Sequence, residues 1–63
     1  MTEAQVIKNI MLLSHERGVE ITVDEVLRRA EKLSGHLCHK GLPGNRMYAL
    51  ELMFQLLSEP HGT

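Results

Sequence analysis

The stretch HLCH, residues 36 to 39, is where the metal-ligand chemistry of this chain concentrates. His36, Cys38 and His39 all carry donor atoms that suit zinc, and His15 or His61 could supply a fourth ligand from elsewhere. The spacing argues against a structural site. Short zinc motifs separate their ligands by roughly two to four residues, whereas Cys38 and His39 are adjacent, point apart on most backbones, and are followed by no second knuckle. A zinc-stabilised helical domain built on His36, Cys38 and His39 is therefore the weaker alternative. The expectation is a chain without metal or cofactor, with HLCH as a loop anchored by Leu37.

Catalysis fails on different grounds. A Cys-His nucleophile needs a base and an orienting third group around a pocket, and adjacency in sequence supplies none of that geometry. Gly35, Gly41 and Gly44 lack the spacing and the preceding strand of a phosphate-binding loop. No residue is assigned a catalytic role, and the chain reads as non-enzymatic.

Whatever these residues do, the elements that position them must be small. A chain of 63 residues has room for one domain, and burying only about 60% of its unfolded surface leaves such a domain marginal alone. Cys38 is the only cysteine, so no disulfide can staple the chain internally, and a lone thiol fits a reducing cytoplasm. The opening MTEAQVIKNI has an early acid and no basic segment of the signal-peptide kind. The longest unbroken apolar runs, such as IMLL, hold four residues, far short of the ~20 that span a bilayer. No membrane contact is expected.

Three helices follow from the capping signals and apolar periodicity, within a single helical domain over 1–63. Thr2 and Gln5 fit a capping box opening a helix over 3–17, with Gly18 as its left-handed stop. Ala4, Val6, Ile7, Ile10, Met11 and Leu13 fall on one half of it. Thr22 and Glu25 promise a cleaner box, opening a helix over 23–34. Its stripe of Val23, Val26, Leu27, Ala30 and Leu33 is narrow, roughly 120° wide, and it ends at Ser34-Gly35. A loop over 35–45 holds Gly41 and the Pro43-Gly44 turn signal. Asn45 caps a third helix over 46–58, and Pro60 and Gly62 loosen the tail, 59–63. The class is all-α, a small three-helix domain.

The third helix carries a surplus. In MYALELMFQLL, residues 47 to 57, the apolar side chains cover an arc of roughly 220°, more than the narrow stripe of helix two can match. Leu12 adds an aliphatic side chain to the polar side of helix one, between Lys8 and Glu16. Exposed patches of this kind mark interfaces, and the commonest solution is a two-fold homodimer. The expected protein interface is Leu12, Met47, Leu50, Met53, Phe54 and Leu57, with association through helix three.

Charge divides the chain as well. Residues 28–46 hold Arg28, Arg29, Lys32, Lys40 and Arg46 against Glu31, while the rest holds Lys8 and Arg17 against seven acids, for a net charge of -1. The basic segment could bind nucleic acid or an acidic partner through Arg28, Arg29, Lys32, Lys40 and Arg46. A helix-turn-helix reading covers helix two alone. The next helix should follow within three or four residues and present polar side chains, whereas here it is apolar and starts after a long loop. The expected role is a small cytoplasmic regulatory or inhibitory protein of the size common in bacteria and phages. It would act by protein-protein binding, with itself and a larger protein as partners and nucleic acid as the alternative.

Overall fold

The computed structural model describes residues 2–59. His61 and the expected tail, Glu59 apart, lie outside the described residues. Three helices form, α1 (Glu3–Glu16), α2 (Val23–His39) and α3 (Arg46–Ser58), with no strand among the described residues. The all-α, three-helix class is the one the capping signals predict.

Each helix starts where a side chain can take over its free amides. Thr2 Oγ1 accepts from the Gln5 amide and Gln5 Oε1 accepts from the Thr2 amide, a complete capping box. Asn45 Oδ1 accepts from the Tyr48 amide at 2.7 Å. The second box is only half made, against expectation. Thr22 Oγ1 accepts from the Glu25 amide at 3.2 Å, but the Glu25 carboxylate turns forward to Arg28, at 3.4 Å, and Arg29, at 3.3 Å. Two cations three and four residues ahead on the same face outcompete one neutral amide behind.

Both α1 and α2 end in a Schellman turn on a left-handed glycine. Gly18 has φ +80°; its amide donates to the His15 carbonyl, and the Val19 amide reaches back to Ser14 at 2.8 Å. Gly41, at φ +81°, repeats the arrangement, with Gly41 donating to Cys38 and Leu42 to Leu37 at 2.8 Å. Helix two therefore runs five residues beyond its expected end at Ser34, and HLCH is helical rather than looped. Gly35 does not stop it. That glycine sits in the helix with open space around the position of a Cβ and without a positive φ. Its local cost, about 1 kcal/mol relative to alanine, is outweighed by Leu37, buried with 6% exposure one turn past Leu33.

The core is Val6 and Ile10 from α1, Val26, Ala30 and Leu37 from α2, and Ala49 and Leu50 from α3. Met47, Leu52, Met53, Phe54 and Leu57 pack against it half-buried. Helix α3 lies against both neighbours, which touch each other less, so it is the central helix. Its wide apolar arc is shared out between α1 and α2. At one end Arg46 pairs with Glu3 at 3.0 Å; at the other the Arg17 guanidinium donates to the Leu57 carbonyl. These ties join start to start and end to end, so α1 and α3 run side by side in the same direction. Arg17 also meets the negative end of the α3 dipole. Ser34 Oγ donates to the Gly44 carbonyl at 2.7 Å and holds the α2–α3 loop against α2.

Candidate functional site

With α3 in the middle, the residues assigned to an interface separate into two groups. Leu50 is fully buried, which corrects its assignment: it stands near the centre of the apolar arc, where a central helix meets both neighbours. Met47, Met53, Phe54 and Leu57 are half-buried against the same core. Leu12 alone projects, with 51% of its surface exposed. The exposed aliphatic side chain of α3 is Leu56, on the flank of the arc. Val19 and Val23 are also exposed, the one just past the α1 stop and the other at the first position of α2.

Leu12 and Val23 border an open groove of about 470 Å³ between α1 and the connector into α2. Ala4, Ile7, Met11 and Leu12 supply the apolar wall from α1, while Ile21 and Val23 supply the other. The groove exists because Ile7 and Met11 sit at the edge of α1's buried face, beside a connector that is extended and offers only Ile21 to cover them. Lys8 and His15 stand on one rim and Glu20 on the other, and the His15 imidazole contacts the Glu20 carboxylate. Ile21 also lines a smaller hollow of about 280 Å³ with Ile10, Met53, Leu56 and Leu57, so apolar surface continues from α1 to the end of α3.

Beside the groove runs a column one turn apart, Lys8, Leu12 and Glu16. Spacing by four residues stacks them on one line of α1, and all three are exposed. Neither Lys8 nor Glu16 forms an ion pair among the described residues. The column is cation, apolar, anion, in that order.

The basic residues are also redistributed. Arg28, Lys32 and Lys40 are exposed along the outside of α2, and Arg29, also exposed, stands on its flank beside the hollow lined by Ile10, Met53, Leu56 and Leu57. Arg46 does not join them, because it pairs with Glu3 at the start of α1. The helical form of HLCH adds His36 and His39 to the outer face of α2. It also separates the zinc ligands: successive positions turn by about 100°, so Cys38 leaves the line shared by the two histidines. Among the described residues no three His, Cys, Asp or Glu side chains come together to hold a metal ion, and no helix is long and apolar enough to cross a membrane.

The groove is lined by Lys8, the His15–Glu20 pair and apolar side chains, with no serine, threonine or cysteine in its lining. The chain matches no protein-family model, and neither curated proteins nor solved structures include a significant relative.

Proposed function

We propose that this is a small non-enzymatic regulatory or inhibitory protein that acts by protein-protein binding, as a two-fold dimer joined along α1. The observation that carries the reading is the Lys8-Leu12-Glu16 column. When two copies of α1 cross antiparallel with Leu12 on the axis, residues equally far before and after Leu12 face each other. Lys8 then meets Glu16 of the second copy, and Glu16 meets its Lys8, each about 6 Å along the helix from the axis. A two-fold contact must be self-complementary, and this column is. The paired Leu12 side chains close over the apolar wall of Ile7 and Met11, supplying burial that a chain of 63 residues cannot find internally.

The proposal puts the dimer on α1 rather than on α3, because Leu50 is buried and Met47, Met53, Phe54 and Leu57 are half-buried against the core. Regulation or inhibition of a larger protein suits a chain with a docking surface and no catalytic constellation among the described residues.

Leu12→Glu tests the reading. It sets two carboxylates against each other at the axis, and because Leu12 lies outside the core the monomer keeps its helices. Wild type is expected to sediment as a dimer at micromolar concentration and Leu12→Glu as a monomer with unchanged circular dichroism. A wild type that is monomeric at millimolar concentration, or a variant that still dimerises, contradicts the proposal.

A further inference from the structure

We infer that the outer face of α2 is a second binding surface, shaped for the phosphate backbone of duplex nucleic acid. The extension of α2 to His39 is what creates it. Arg28, Arg29, Lys32, His36, His39 and Lys40 fall within about 120° of the helix circumference, and every one is exposed. They extend over about 18 Å of helix. The acid within this arc, Glu25, lies at its beginning and is held by Arg28 at 3.4 Å and Arg29 at 3.3 Å. Lys32 and Lys40 have no ion-pair partner among the described residues. The charge of the row is therefore least compensated from its middle to its end.

What the arc lacks identifies the partner. It carries no apolar side chain, whereas protein interfaces are built around an apolar core, so an acidic protein is the poorer match. Its only rings are the small imidazoles of His36 and His39, with no Phe, Tyr or Trp as a stacking platform for unpaired bases, and it has no Asn or Gln to read adenine edges. Cations in a row, with imidazole N–H donors among them, fit phosphates and carry no sequence information. Binding of this kind is salt-dependent and does not select among sequences.

The surface is independent of the proposed dimer. Val23, where α2 borders the α1 groove, lies about 180° around the helix from Lys32. Dimerisation leaves the row open and presents it twice.

Fluorescence anisotropy with a short labelled DNA duplex, titrated at several salt concentrations, tests the inference. Binding in low salt is expected, weakening as salt rises with a log–log slope of roughly −3 to −4, for about four neutralised phosphates. Arg28→Ala combined with Lys32→Ala should weaken binding at least tenfold and lower the slope by about 2, with helicity retained. Leu12→Glu, which addresses only the dimer, should still bind with the same dependence on Arg28 and Lys32. No duplex binding in low salt overturns the inference, as does equal binding by the doubly substituted protein. Tighter retention of polyglutamate than of the duplex overturns the assignment to nucleic acid.

Discussion

Leu50→Ala is expected to leave the protein largely unfolded at room temperature. Leu50 has no exposed surface and is among the largest fully buried side chains, on the helix that both others pack against. Truncating a buried leucine to alanine costs about 3–5 kcal/mol, transfer and cavity terms together. At 0.05–0.15 kcal/mol per residue, a chain of 63 residues has roughly 3–9 kcal/mol in all. The loss is therefore comparable to the whole. Thermal unfolding followed by circular dichroism checks it: the variant should show a melting transition at or below room temperature, or none. A loss below about 1.5 kcal/mol would mean that α3 is not the centre of the core. Leu50→Glu would act more strongly still, by placing a charge in the core, and its phenotype would say nothing about association.

The second large effect comes from a residue with no side chain. A Cβ added at Gly44 would stand 2.6 Å from the Cys38 Cβ, 3.2 Å from the Ser34 carbonyl oxygen and 3.3 Å from the Cys38 Cα. These atoms belong to, or are bonded to, the α2 backbone and cannot swing aside. Gly44 has no positive φ, so the demand for glycine is steric and not conformational. Gly44→Ala must lift the loop away from α2, adding an overpacking cost of about 1–3 kcal/mol to a Ser34–Gly44 hydrogen bond worth about 1 kcal/mol. A total of about 2–4 kcal/mol is expected in urea denaturation. A cost within about 0.5 kcal/mol of zero would show that the loop is not seated on α2.

Gly44 also shows why sequence reading stopped short of the loop. Pro43-Gly44 announces a turn, but nothing in the residue types says that the glycine faces Cys38. The caps of α1 and α3 are legible because Thr2, Gln5 and Asn45 act over three residues, within the reach of local chemistry. The Glu25 half of the second box failed because Arg28 and Arg29 compete for the carboxylate, and both were present to be read. The end of α2 was misread for a related reason. Gly35 and the two histidines look like a loop, yet Val26, Ala30, Leu33 and Leu37 continue one apolar line with spacings of four, three and four. The glycine followed by an aliphatic residue that ends α1, Gly18-Val19, is repeated at Gly41-Leu42, which is where α2 ends.

The proposed docking surface is legible in the sequence at one residue. Leu12 stood out as an aliphatic side chain between Lys8 and Glu16, and it is the member of the expected interface that projects from the fold. Of the expected α3 residues, Leu50 is fully buried, because the apolar arc is shared between two neighbours. The true partners of that arc are α1 and an α2 five residues longer than expected. The groove itself depends on how the connector passes α1, a long-range placement with no local signature.

The most direct measurement is native mass spectrometry of two charge variants, Lys8→Glu and Glu16→Lys, each alone and then mixed. In the antiparallel α1 dimer, each variant alone sets like charges against each other at both contacts. Exposed pairs are worth up to about 1 kcal/mol each, so turning two attractions into two repulsions should weaken each homodimer about tenfold or more. When the two are mixed, the carboxylate introduced in the first variant faces the ammonium introduced in the second. At the other contact the unchanged Glu16 of the first faces the unchanged Lys8 of the second, so both contacts are attractive again. The mixture is expected to form a heterodimer about as stable as the wild-type dimer. Variants that dimerise alone as wild type does, or a mixture that forms no heterodimer, would contradict it.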